Sequence, residues 1–204
     1  MTFEIDMTGI TGYIGKTRSG KTILMAECFK KTGGLFIDYE DKGNVEAAVT
    51  LTMKNTRAQI EQALRDHHKI RYVPNAEPEI AKKEAKVLVR ILLDVNLDLH
   101  VYVDELQNYG GARTNVFDPL ATQGLKSGIH LDWGTQRPAK ASKTIASQTT
   151  TLVFFEMSSF EKKYFKEYDL PYEEIKSEMQ GLDKYYFVTY TSGVGVSRPY
   201  KVAL

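Results

Sequence analysis

The run Gly15-Lys16-Thr17-Arg18-Ser19-Gly20-Lys21-Thr22 matches G-x-x-x-x-G-K-[ST] without a mismatch. Residues of these types at this spacing can cradle a polyphosphate. Phosphate oxygens crowd the main chain, and glycine permits that approach. Successive backbone N–H groups form an anion site at a helix N-terminus, where the helix dipole favours negative charge. Lys21 would reach the β- and γ-phosphates, and the Thr22 hydroxyl would bind Mg2+. ATP and Mg2+ are the cofactors implied. At ordinary glycine frequencies a random chain of this length matches about once in a hundred.

Two further strand ends carry matching chemistry. His100-Val101-Tyr102-Val103-Asp104-Glu105 is an apolar strand that finishes in two carboxylates. Alone, such a pair is an ordinary surface ending. Beside a phosphate loop, Asp104 is the candidate for the metal's water shell, and Glu105 for orienting and activating the attacking water. Gly128-Ile129-His130-Leu131-Asp132-Trp133-Gly134-Thr135-Gln136-Arg137-Pro138 ends in polar residues before a proline. If its strand lies between the first strand and the acidic one, Gln136 projects at the γ-phosphate. The candidate catalytic set is therefore Lys21, Glu105 and Gln136, with Thr22 and Asp104 for the metal.

Elements that could hold these tips alternate along the chain, as in an α/β fold with a mostly parallel sheet. Strands are expected at Thr11 to Ile14, Leu35 to Tyr39, Ile70 to Val73, Leu99 to Val103, Ile129 to Thr135 and Leu152 to Met157. Helices are expected from Lys21 to about Phe29, from the capping box Thr56-Arg57-Ala58-Gln59 to about His67, and from Pro78 to about Leu93. A further helix should run from Pro119 to Lys126, capped by Asp118. Another should follow the capping box Ser158-Ser159-Phe160-Glu161 and run from Lys162 to Tyr168. The tail from Tyr185 to Leu204 reads as a β-hairpin around Ser192-Gly193.

The chain has 204 residues, of which 42% are hydrophobic, 26% charged and 11% aromatic, which excludes disorder, collagen and coiled coil. The expected organisation is a single P-loop ATPase domain, with a core over about 10–160 and helices plus a hairpin over about 160–204. Lys plus Arg number 27 against 26 Asp plus Glu, so any nucleic acid must be held by a local patch or an assembled channel. One cysteine, Cys28, rules out an intrachain disulfide and suits a reducing compartment. No apolar run approaches ~20 residues and no signal peptide is visible, so a soluble intracellular protein is expected. His67, His68, His100 and His130 lack metal-site spacing. Lys82, Lys83, Lys86 and Arg90, like Lys162, Lys163 and Lys166, read as solvated helix faces. Asp38 and Glu40 are either supports for the nucleotide site or surface acids. Lys140 and Lys143, just after the glutamine strand, are the better candidates for touching a nucleic acid, should the chain bind one.

The three motifs together resemble the FtsK–HerA superfamily of DNA-pumping, RecA-like P-loop ATPases. The specific part is Gly128-Ile129-His130-Leu131 with Gly134-Thr135-Gln136-Arg137-Pro138, similar to that superfamily's G-[IV]-[HG]-L…[AS]-[TS]-Q-R-P block. Leu152 to Ser159 is similar to the strand that follows it. The short chain resembles the genome-packaging ATPases of membrane-containing icosahedral viruses. That resemblance implies a homo-oligomeric ring, a hexamer, hydrolysing ATP at subunit interfaces and driving double-stranded DNA, without sequence preference, into a preformed capsid. It also implies capsid or membrane-vertex proteins as partners, in the host cytoplasm or at the virion vertex. One departure stands out: the superfamily often places an arginine just before the block, and here the segment is Gly124-Leu125-Lys126-Ser127. Lys126 lacks the planar fork of arginine; Arg113, Arg90 and Arg71 are the other candidates for a finger into the neighbouring site. The competing readings are a small-molecule kinase that shares the loop, and a nucleotide-gated scaffold without turnover.

Overall fold

The computed structural model describes residues 5–41, 45–157 and 162–202. In chain order the strands are β1 (Thr11–Ile14), β2 (Gly34–Ile37), β3 (Val49–Leu51), β4 (Lys69–Tyr72), β5 (Leu99–Val103), β6 (Ile129–Thr135), β7 (Thr151–Phe154), β8 (Tyr186–Thr191), β9 (Gly195–Val196) and β10 (Tyr200–Lys201). The helices are α1 (Lys21–Thr32), α2 (Arg57–Asp66), α3 (Pro78–Val95), α4 (Asp118–Gln123), α5 (Lys143–Gln148), α6 (Lys162–Glu167) and α7 (Tyr172–Met179). Among the described residues the strands form one sheet in the order β10-β8-β7-β1-β6-β5-β2-β4-β3, with β9 paired to β8.

From β7 to β3 every pairing is parallel. The central strands are buried on both faces, as the continuous apolar run Leu99-His100-Val101-Tyr102-Val103 requires. β6 lies between β1 and β5, with Thr11 opposite Asp132 and Val101 opposite Leu131. β8 adds antiparallel to β7, and β8 with β9 forms the expected C-terminal hairpin. This mostly parallel sheet flanked by helices is the expected fold class.

Helices cover both faces. α1 packs Leu24, Met25, Cys28 and Phe29 against Tyr13, Phe36 and Tyr102, where Phe36 and Tyr102 stack at 5.8 Å and Phe29 meets both edge-on. The opposite face receives Ile60 and Leu64 of α2, Leu88 and Leu92 of α3, Leu120 of α4 and Ile145 of α5. α2 opens on a complete capping box, with the Gln59 N–H donating to Thr56 and the Thr56 N–H donating to Gln59. α3 starts with Pro78 in its first turn and stops at Asn96, whose φ of 49° ends the helix.

Several boundaries depart from expectation. β2 and β7 stop earlier than read, at Ile37 and Phe154, with one further N–H each, of Asp38 and Phe155, still donating to the neighbouring strand. β3, α5 and α7 are additional elements of three, six and eight residues, too short to show a period. Asp118 does not cap α4 from outside. It is the helix's first residue, and its carboxylate accepts from the Asn115 N–H at 2.8 Å and from the Ser142 hydroxyl. The capping box Ser158–Glu161 lies outside the described residues. No helix among the described residues is long and apolar enough to cross a membrane.

Cys28 is buried under α1, and burial pushes its thiol up to about 11. At pH 8 the native protein is therefore expected to react with a maleimide about a hundredfold more slowly than the denatured chain. Equal rates in the two states, followed by mass spectrometry, would contradict this burial.

Candidate active site

Three strand tips meet at one end of the sheet. β1 runs out at Ile14 into the phosphate loop, β5 into Asp104 and Glu105, and β6 into Gln136. Because β1, β6 and β5 are neighbours in parallel, their C-terminal ends are forced to the same edge. Thr17, Lys21, Thr22, Glu105 and Gln136 line a single cavity of about 390 Å3 there.

The loop geometry follows from its glycines. Gly20 sits at the start of α1 with φ 111°, a conformation that side-chain-bearing residues rarely adopt. Gly134 on β6 allows a close approach: a Cβ there would meet the Met25 sulfur at 2.7 Å and Asp104 Oδ1 at 3.1 Å. Lys21 is 4% exposed, and its ammonium donates to the Lys16 carbonyl at 3.2 Å.

The Thr22 hydroxyl donates to Asp104 Oδ2 at 3.0 Å. Asp104 is buried, and desolvation, with the neighbouring Glu105 charge, raises its carboxyl to about 6. A buried oxygen pair held this way fits a hard divalent cation such as Mg2+, which takes one or two protein oxygens and completes its shell with phosphate and water. Among the described residues no cluster of three or more His, Cys, Asp or Glu side chains could hold a metal.

Glu105 and Gln136 are linked directly. The Gln136 amide N–H donates to Glu105 Oε1 at 2.7 Å, and the Gln136 carbonyl oxygen accepts from the Thr17 hydroxyl. Gln107 donates to the other Glu105 oxygen and accepts from the Thr135 hydroxyl at 2.6 Å. The loop, the acidic tip and the glutamine tip are thus one hydrogen-bonded string. Glu105 is held with φ 54°, at the entry to a short 3-10 turn over Leu106–Tyr109. A carboxylate in left-handed backbone at the mouth of a cavity is the kind of strain found at working sites.

The other candidates are placed elsewhere. Lys16 turns outward to Glu156 at 2.6 Å, and the buried Ser19 hydroxyl has no hydrogen-bond partner among the described residues. Gly15, Lys16, Ser19 and Asp104 do not line the cavity, whereas Thr17, Arg18, Gly20, Lys21 and Thr22 do. Asp38 is buried and receives two bonds from Arg71, at 3.1 and 2.7 Å, while Arg71 also reaches Asp41 at 2.6 Å. That pairing occupies Arg71 within its own chain and makes it unsuited to serve a neighbouring subunit. Lys143 pairs with Glu167 at 2.9 Å. Gln107 and Tyr185 belong to the site and carry no motif. Only the two-residue offset from Glu105 could have drawn attention to Gln107.

Among solved structures, the genome packaging NTPase from Sulfolobus turreted icosahedral virus 2 in complex with AMP matches with TM-score 0.72, at 14% identity, over 98% of this chain and 100% of that one. The fold is that of a RecA-like P-loop NTPase. The DNA-packaging ATPase from Sulfolobus turreted icosahedral virus matches this P-loop fold with TM-score 0.65 and 18% identity, over 98% of this chain and 100% of that chain. A bacterial conjugative coupling protein matches with TM-score 0.65 and 11% identity, over 97% of this chain and 85% of that chain. These neighbours are FtsK–HerA-type P-loop ATPases, the superfamily that the glutamine block resembles. The virus 2 NTPase is also known in complex with ATP-γS and with AMPPCP. No protein-family model and no curated protein matches this sequence.

Proposed function

We propose that this P-loop domain is an ATP-hydrolysing motor that translocates double-stranded DNA, packaging a viral genome into a preformed capsid. The observation that carries the reading is the convergence of Lys21, Glu105 and Gln136 on one cavity beside the phosphate loop. Loop N–H groups and the Lys21 ammonium hold the phosphates in line. Glu105, an acceptor with both oxygens already oriented, takes the proton of an attacking water. Gln136 touches both Thr17 of the loop and Glu105, so it can report the state of the terminal phosphate to both strand tips. Thr22 and Asp104 would hold Mg2+, which when bound neutralises phosphate charge.

DNA handling draws its support from the names of the neighbours and from charge. Lys83 and Lys86 of α3, beside a Lys82 that pairs with Glu79 at 2.6 Å, line a cleft of about 500 Å3 against the loop 110–116. Exposed Arg113 sits in that loop, which is fastened to the turn after Glu105 by Asn115 Nδ2 on the Leu106 carbonyl at 3.1 Å. The assembly we propose is a hexameric ring with head-to-tail interfaces. Arg113, Arg90 or Lys126, all exposed, would complete a neighbour's site. The proposed setting is the host cytoplasm or the virion vertex, with capsid or membrane-vertex proteins as partners.

The test is phosphate release from Mg2+–ATP with no small-molecule acceptor, with and without duplex DNA. Release that duplex DNA stimulates is expected; release only when an acceptor is added would mean a kinase, and nucleotide binding without turnover would mean a scaffold. For the cleft, Lys83→Ala with Lys86→Ala should weaken binding to any duplex and lower the slope of log K against log salt by about 2. An unchanged slope in fluorescence anisotropy would remove the cleft from the DNA path.

A further inference from the structure

The nucleotide cavity has two kinds of wall. Arg18, Lys21, Thr22, Glu105 and Gln136 bring charge and hydrogen-bonding groups, whereas Tyr185 and Ile23 bring an aromatic ring and an aliphatic branch. Ile23, in the first turn of α1, keeps 36% of its surface exposed. A nucleoside triphosphate offers the same two kinds of surface, anionic phosphates and a flat, weakly polar base. A volume of about 390 Å3 falls in the range of small-ligand sites.

Tyr185 is held in place at a cost. Its φ is 71°, in the left-handed region, where a bulky side chain is an outlier. The backbone there is pinned from both sides: the Val202 N–H donates to the Tyr185 carbonyl at 2.8 Å, and the next residue, Tyr186, opens β8 opposite Lys201 of β10. The ring lies beside the phosphate loop, because a Cβ built on Gly20 would come within 3.1 Å of Tyr185 Cδ1. Asparagine or glycine would satisfy this backbone with less strain. Besides packing on the apolar cluster beneath it, an aromatic residue here supplies a ring at the cavity wall.

We propose that Tyr185 is the stacking platform for the nucleobase, and that the site selects purine over pyrimidine triphosphates by stacked area rather than by reading hydrogen bonds. This rests on the ATPase reading above. Phosphates fixed at Lys21 and Thr22 leave ribose and base to extend past Gly20 and Ile23 onto the Tyr185 ring. Every base offers a π-face, so stacking tolerates the identity of the base while rewarding the larger ring system. ATP and GTP should therefore bind alike, and CTP and UTP more weakly.

The test is competition binding of ATP, GTP, CTP, UTP and inorganic tripolyphosphate to the full chain and to Tyr185→Ala, Tyr185→Phe, Tyr185→Trp and Tyr185→Asn. Tyr185→Ala should lose about tenfold or more in affinity for ATP and GTP, while tripolyphosphate binds as in the parent. Tyr185→Phe and Tyr185→Trp should retain parental affinity. Tyr185→Asn, which fits the left-handed backbone but gives up the ring's packing on the apolar cluster, should stay folded and share the loss of ATP affinity. Wild-type affinity for ATP in Tyr185→Ala would overturn the proposal, as would an equal loss of tripolyphosphate, which would make the ring a structural prop of the loop. A parent that binds tripolyphosphate but shows no preference for ATP over it also overturns the proposal and leaves the phosphate site standing. A parent that binds none of these ligands overturns the ATPase reading and this proposal together.

Discussion

Glu105→Gln is expected to bind ATP with parental affinity and to hydrolyse it about a hundredfold more slowly or worse, the scale of a lost general base. The substitution keeps the size of the side chain and the acceptor that meets Gln136 at 2.7 Å. It replaces the second carboxylate oxygen, which accepts from Gln107, by a donor. Gln107 must then turn its amide, since its own oxygen is engaged by Thr135. The fold has no reason to suffer, because that adjustment is confined to two side chains. Single-turnover phosphate release, paired with a nucleotide-binding titration, separates chemistry from affinity. Near-normal hydrolysis would remove Glu105 from the reaction.

Lys21→Ala is expected to do the opposite and abolish productive nucleotide binding. Lys21 is the buried cation of the cavity, and removing it leaves the phosphates to the loop N–H groups, the threonine hydroxyls and the exposed Arg18. Loss of a desolvated charge partner commonly costs two to five kcal/mol or more, which is about thirty- to several-thousandfold in affinity. The unliganded variant should melt within about 3 °C of the parent, since it sheds the cost of a buried ammonium along with the bond to the Lys16 carbonyl. The parent in saturating ATP should gain roughly 5–10 °C through mass action, and the variant should gain almost nothing. A full ATP-induced shift in Lys21→Ala would mean that the loop holds no phosphate at that position.

What could be read before any coordinates was the chemistry of the strand tips and the α/β alternation. Phosphate-loop glycines and the apolar run of β5 act locally, through backbone freedom and double-sided burial. The position of β6 between β1 and β5 could be stated only as a condition, because order in a parallel sheet is set by packing among helices. The unread parts share a physical cause. β3, α5 and α7 are too short to show periodicity, and they exist because the neighbouring structure pairs or covers them. Asp118 was assigned to the wrong job because its partner, the Ser142 hydroxyl, arrives from a distant segment. Gln107 and Tyr185 carry no motif: one acts through a carboxylate two residues away, and the other reaches the cavity from the far end of the chain.

The register of β1 sets a schedule for how the molecule comes into being. Thr11 pairs with Asp132 on one side and Thr151 on the other, so β1 finds its partners only after β6 and β7, both remote in sequence, have also been synthesised. Pairings this remote in sequence are slow to form and leave apolar edges unprotected in the meantime. The phosphate loop hangs from that strand. A chain cut off before β6 should therefore possess no grip on nucleotide at all, and the activity arrives in a single event once β6 and β7 have joined β1.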